Sequence, residues 1–187
     1  MERVLRLVCR DPGVSPLPPP RCWISFDAES GTLVVEFKVF QGDPFVDPTL
    51  PVDRSVDRLW EHDVVEIFVS LASSSERVEN SPYLEFQVSP LGQFLELRLL
   101  EPRKRDPLNQ PLGLVASAHQ DAHAWTARAE IQLKRHISPL HQDFIFGNVF
   151  SILGPPGKRE YWSLFTPHQS QPDFHIPSQF KRLLIDG

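Results

Sequence analysis

Asp57–Ser70 reads D-R-L-W-E-H-D-V-V-E-I-F-V-S, and from Asp63 onward its residues alternate in character. Val65, Ile67, Val69 and Leu71 fall on one side, and Val64, Glu66, Phe68 and Ser70 on the other. A period of two is the signature of a β-strand. One face is wholly apolar and the other mostly so, with Glu66 near its middle, which places the strand at the centre of a sheet. A carboxylate there needs a partner: an arginine within the fold, a cation or the hydroxyls of a ligand. Trp60, just before the strand, either plugs the core or floors a shallow site.

The same alternation recurs on either side of this stretch. Residues 3–10, 22–27, 32–40, 83–89, 94–100, 113–119, 124–131, 144–153, 161–166 and 180–185 all read as short strands. Turn residues such as Glu29-Ser30-Gly31 and Pro90-Leu91-Gly92 separate them. Leu133–Ile137 reads as a single helical turn, and residues 11–21, 41–58 and 101–112 as Pro-rich loops. Of these, 41–58 is long enough to suggest a role of its own. Short strands with turn signals between them predict an all-β fold, an antiparallel β-sandwich or jelly roll of about ten strands. One domain over residues 1–187 accommodates it.

Charge and composition exclude several function classes. With 24 acidic and 19 basic residues the net charge is −5, and the only basic run of three is Arg103-Lys104-Arg105. A nucleic-acid partner is not expected, because phosphate-backbone binding rests on clustered cations. No segment approaches the roughly 20 apolar residues of a membrane span. The N-terminus lacks the pattern of a secretory signal, so a cytoplasmic location is expected. Cys9 and Cys22 sit on apolar strands and read as free, buried thiols rather than a disulfide framework.

The polar faces carry the chemistry. Glu66, Glu85, Gln87 and Arg98 stand opposite the apolar residues of three consecutive strands, and Trp60, Tyr83 and Trp162 are placed to frame them. Flat rings beside carboxylate and amide groups suit a sugar, whose C–H face packs on a ring while its hydroxyls bond the polar groups. The plainer reading is a solvated sheet face with a Glu85–Arg98 ion pair. Trp125 shares its face with Ala127, Ala129 and Ile131 and reads as core.

His119, Asp121 and His123 read as exposed turn residues, and Asp173 within the His168–His175 run as a turn cap. Asp43, Asp47 and Asp57 are loop carboxylates of the kind that build a structural calcium site, but no D-x-D-x-D-G loop accompanies them. No metal is assigned. The nucleophile-elbow, zincin, P-loop and dinucleotide motifs are absent. Glu66 with Glu85, as a carboxylate-based hydrolase, is the one catalytic option left.

Three blocks resemble the DOMON-like, family 9-type carbohydrate-binding modules. L-W-E-H-D-V-V-E-I-F-V (59–69) is similar to that family's L-W-x-x-x-x-x-E-x-F strand. Y-L-E-F-Q-V-S-P-L-G-Q-F (83–94) is similar to its Y-x-E-F-x-x-S-P-x-G-x-W segment. Y-W-S-L-F-T-P-H-Q-S-Q-P-D-F-H-I-P-S-Q-F (161–180) is similar to its closing Y-W-A-L-x-H-P-x-x-x-P-D-F-H-x-P-x-x-F, with one extra residue between Pro167 and Pro172. The third block resembles a bacterial subgroup of stand-alone small proteins.

The resemblance implies a jelly-roll sandwich. It also implies a saccharide end held between two tryptophans with help from a strand glutamate. Trp60 and Glu66 match two of those positions, and Trp162 is the candidate for the second tryptophan. Other DOMON domains bind haem through Met and His; here Met1 is the sole methionine, so haem is not expected. The expectation is a non-catalytic binding domain for a small carbohydrate or related polar ligand, without a cofactor. The alternative is a structural or protein-interaction sandwich, with a protein partner in place of the sugar.

Overall fold

Alternating apolar side chains sort the strands into two sheets in the computed structural model. It describes residues 2–10, 17–72, 74–108, 110–138, 143, 145–165 and 172–184, without the side chains of Cys9, Arg10 and Glu76. The smaller sheet contains β1 (Glu2–Val4), β3 (Arg21–Asp27), β4 (Thr32–Val39), β9 (Leu114–Gln120) and β10 (Trp125–Gln132), in the order β1-β3-β4-β10-β9. The larger contains β2 (Arg6–Arg10), β5 (Val64–Ser70), β6 (Tyr83–Val88), β7 (Phe94–Glu101), β8 (Lys104–Arg105), β11 (Phe146–Leu153) and β12 (Glu160–Ser163). Its order is β2-β12-β11-β5-β6-β7-β8, with β13 (Lys181–Arg182) beside one end of β11. All of these strand pairings are antiparallel.

This is the expected sandwich, with thirteen strands among the described residues. The excess over about ten comes from two- and three-residue strands too short to show a period. The first strand is also split. Leu5 is buried where the chain leaves one sheet for the other, and its N–H donates to the Pro20 carbonyl at 2.9 Å. Residues 11–16, Ser73, Phe144, Thr166, Pro167, His168 and Ile185, which the sequence reading used, lie outside the described residues. Among the described residues no helix is long and apolar enough to cross a membrane.

Two apolar clusters hold the fold. Between the sheets, Val65, Ile67 and Val69 of β5 and Leu84, Phe86 and Val88 of β6 pack with Val35, Phe37, Trp125 and Ile131 of the smaller sheet. Trp125 is core, as its face predicts. On the outer face of the larger sheet, Phe68, Tyr83, Phe150, Phe174 and Phe180 form a second cluster with Leu59, Leu95 and Leu97. That cluster explains why every residue of β5, β6 and β11 is buried. A strand buried on both faces loses the polar alternation of a half-exposed one. The cover comes from the 41–62 loop and from residues 172–180.

The outer cluster is an addition to an already complete sandwich, so its share of stability can be measured separately. Phe68 sits at its centre, within 6.1 Å ring to ring of Phe150, Tyr83, His175 and Phe180. Phe68→Ala is expected to cost about 3–5 kcal/mol in urea unfolding. Val115→Thr, on the exposed edge strand β9, should stay within about 0.5 kcal/mol of wild type.

Candidate functional site

Antiparallel pairing sets Glu66 opposite Gln87 and Phe68 opposite Glu85, which puts both glutamates and the amide on the outer face of the larger sheet. Gln87 Nε2 donates both hydrogens, one to Glu66 Oε1 at 2.8 Å and one to Glu85 Oε1 at 2.6 Å. Glu66 and Glu85 are each only 3% exposed. Burial pushes the Glu85 carboxyl up to about 7, against the Gln87 hydrogen bond and the charge of Arg105. Burial and then the Glu85 charge hold Glu66 well above the usual carboxylate range, against the pull of Arg159. The two carboxyls therefore lie side by side and both favour the protonated form.

Above this floor opens a hollow of about 380 Å³. Trp60 walls it, held there by the 41–62 loop. Asp63, itself buried, accepts the Phe45 N–H at 2.8 Å and the Gly154 N–H. It thereby ties the loop to the β11–β12 hairpin. Gly154 turns that hairpin at φ +94°, a conformation other residues rarely adopt. Arg58, at φ 62°, then leads into a 3₁₀ turn over Leu59–Glu61 that buries Leu59 and leaves Trp60 half-exposed at the hollow. Arg159 Nη1 donates to the Trp60 carbonyl at 2.7 Å, and its Nη2 to the Glu61 carbonyl. The Arg105 guanidinium lies 5.4 Å from the Trp60 ring and bonds Asp57 at 2.7 Å.

The opposite wall comes from the segment before β13. Pro172, Phe174 and His175 line the hollow. Tyr83 Oη accepts the Arg103 N–H at 3.4 Å and shares a hydrogen bond with His175 Nδ1 at 2.8 Å. His175 Nε2 lies 4.0 Å from Glu85 Oε2. Burial lowers the His175 imidazole to about 4, helped by Arg103 and Arg105 and opposed by Asp173, so it is neutral at physiological pH.

Of the residues singled out in the sequence, Trp60, Glu66, Glu85 and Gln87 meet at the hollow. Tyr83 is fully buried behind His175. Trp162 does not reach the site: it is 4% exposed and belongs to the core between the sheets. Tyr161, one residue earlier and thus on the other face of β12, lines the hollow instead. The apolar neighbour two positions on, Leu164, packs against the same inner core and was the signal for that phase.

Arg98 is also elsewhere. It pairs opposite Leu84, on the inward side of β7, and its carboxylate neighbour is Asp106 at 3.8 Å rather than Glu85. The phase of β7 is the reverse of the expected one because Leu95, Leu97 and Leu99 find their apolar partners in the outer cluster. On the inward side Glu96 accepts the Leu114 N–H of β9 at 3.1 Å.

Besides Tyr161, the lining residues Arg103, Arg105, Arg159, Phe174 and His175 are ones that sequence reasoning missed. The 103–105 basic run was visible but carried no direction. Arg159 is fixed by carbonyls about a hundred positions away, which no local pattern reveals. Among the described residues no group of three His, Cys, Asp or Glu is arranged to hold a metal. Asp47 bonds Thr49 and Asp57 bonds Arg105.

No protein-family model and no curated protein matches the chain. Solved structures do. A proposed carbohydrate-binding protein from Bacteroides uniformis superposes with a TM-score of 0.71 at 16% identity, covering 96% of this chain and 84% of that one. A family 9 carbohydrate-binding module from Caldicellulosiruptor kristjanssonii in complex with glucose gives 0.58 at 13% identity, over 96% and 82% of the two chains. The complex with cellotriose gives 0.54 at 12% identity, over 94% and 80%. The fold is therefore that of the family 9 modules.

The buried carboxyls make stability depend on pH. Glu85 binds its proton more tightly folded than unfolded, so its contribution is greatest below the unfolded value of about 4.5 and is lost as pH rises toward about 7. Glu85→Gln removes that loss. Relative to wild type, the variant is expected to gain urea resistance steadily from about pH 5 to about pH 8. A constant difference over that range would contradict this account.

Proposed function

We propose that the protein is a non-catalytic binding domain for a small carbohydrate, held over Glu66, Gln87 and Glu85 and against Trp60. One observation carries this: a half-exposed indole and a pair of amide-bridged carboxyls open on one hollow of about 380 Å³. That volume falls within the range of about 300–1,000 Å³ usual for small-molecule sites. A pyranose ring offers a C–H face to Trp60 and Tyr161 and donates hydroxyl hydrogens to the floor. Likeness of fold to modules solved with glucose and cellotriose supports the same ligand class.

Catalysis by the carboxyl pair is the weaker reading. A glycosidase needs one carboxyl held as acid and the other kept ionised. Here both carboxyls are nearly buried and both engage the same amide. A cofactor is not part of the proposal. A cytoplasmic setting fits Cys22, a free thiol whose burial pushes it up to about 12.

Calorimetric titration with a panel of neutral mono- and disaccharides tests the proposal, with tryptophan emission recorded in parallel. Binding should perturb the Trp60 emission. Trp60→Ala and Glu66→Gln should each weaken affinity about tenfold or more. No heat and no emission change with any sugar, neutral or charged, would reject the carbohydrate reading in favour of a protein-interaction sandwich. Release of reducing ends from oligosaccharides would favour the hydrolase.

A further inference from the structure

A neutral sugar would leave the rim of this hollow unused. Arg103, Arg105 and Arg159 line its mouth, and they come from the β7–β8 turn, from β8 and from the β11–β12 connection. None lies on the strands that carry the floor carboxyls. Arg105 engages Asp57 through Nη2 at 2.7 Å while lying over Trp60. Arg103 engages Asp173 through Nη2 at 3.0 Å. A guanidinium has five N–H donors in a planar fork suited to carboxylate and phosphate. Both side chains are substantially exposed, 65% for Arg103 and 41% for Arg105.

Arg103 also occupies φ 64°, where glycine or asparagine would be less strained. A bulky residue kept in that conformation beside a ligand hollow suggests a use for its side chain.

The charges facing the hollow permit an anion at the mouth. Asp57 and Asp173 each pair with one nitrogen, of Arg105 and Arg103 respectively, and a guanidinium engaged in that way has further N–H donors for a ligand anion. Glu66 and Glu85 lie below, burial favouring their protonated forms. His175 is neutral and the Tyr83 hydroxyl keeps its proton. Tyr161 adds a further hydroxyl.

We propose that the saccharide bound here is anionic: a pyranose whose hydroxyls meet the Glu66–Gln87–Glu85 floor and whose carboxylate or phosphate group is held by Arg103 and Arg105. This rests on the carbohydrate reading above. Floor and rim then address opposite ends of one ligand. Protonation of the floor removes negative charge below the anion, so a uronate, itself ionised throughout, binds more tightly at about pH 6 than at about pH 8.

Matched titrations decide the matter: glucose, galactose and mannose, their uronates, their 6-phosphates, and acetate and inorganic phosphate alone. The expected result is that one anionic series binds about tenfold more tightly than its neutral parent. That advantage should shrink in about 0.5 M NaCl and disappear in Arg105→Gln and in Arg103→Gly. Thermal unfolding of both variants checks that they remain folded; Arg103→Gly relieves the strained turn, so loss of binding there cannot be put down to loss of folding. Whether uronates or 6-phosphates gain tells carboxylate from phosphate. Equal affinity for neutral and anionic sugars overturns the anionic proposal and leaves the carbohydrate reading standing. Acetate or phosphate binding as tightly as the sugar anions overturns both.

Discussion

The side-chain amide of Gln87 spans two carboxyls that water barely reaches, and the arrangement of the site follows from that bridge. One nitrogen supplies a hydrogen to each glutamate, so neither carboxyl is left wholly without a donor in the apolar surroundings. The bridge exists because β5 and β6 pair with Glu66 opposite Gln87. A slip of β5 by one residue would turn Glu66 toward the other sheet, away from Gln87, and bring Val65 and Ile67 out in its place. That register is enforced on both sides, by the core between the sheets and by the outer aromatic cluster. Packing therefore fixes the polar geometry, and the polar groups do not have to find it themselves.

Covering the larger sheet a second time has a further consequence. A sandwich needs only one buried face per sheet. Here the 41–62 loop and the 172–180 segment roof part of the outer face and stop short of each other, and the hollow is the gap between them. Asp63 anchors one side of the roof, through backbone N–H groups from two separate segments. The Tyr83–His175 hydrogen bond anchors the other. Depth, which a flat sheet face lacks, comes from loops, while the floor comes from strands. The division suits a binding site, since strands hold positions rigidly and loops supply variety.

Much of this could be read from the alternation of residues alone. The β5 and β6 faces, the core position of Trp125 and the turn after Leu133 need only local period and turn chemistry. The placement of Glu66, Glu85 and Gln87 on one surface follows once the two strands are neighbours. What the sequence could not supply was phase where both faces are apolar. Leu95, Leu97 and Leu99 look like inward residues whichever cluster they join, and the roof over the outer face made the difference. Trp162 was misplaced for the opposite reason: a tryptophan next to a tyrosine invites attention to the larger ring, whereas the strand's alternation assigns Tyr161 to the site. The arginine rim depends on tertiary contacts between distant segments and has no periodic signature.

Local rules of stability are broken unevenly across the molecule. On the exposed face of the smaller sheet, Arg128 pairs with Glu36 at 2.7 Å and with Glu130 at 3.0 Å, in the ordinary manner of solvated cross-strand charges. Around the hollow the opposite holds: two carboxyls buried against their preference, a histidine kept neutral, and Arg103 of the lining at φ 64°. The buried carboxyls and the strained arginine lower the stability of the free protein at neutral pH, and they lie with the histidine in one small region. Departures from local consistency are expected to gather where a protein does something other than fold. The unevenness, more than any single residue, is the physical ground for seeking a ligand on the larger sheet rather than on the smaller.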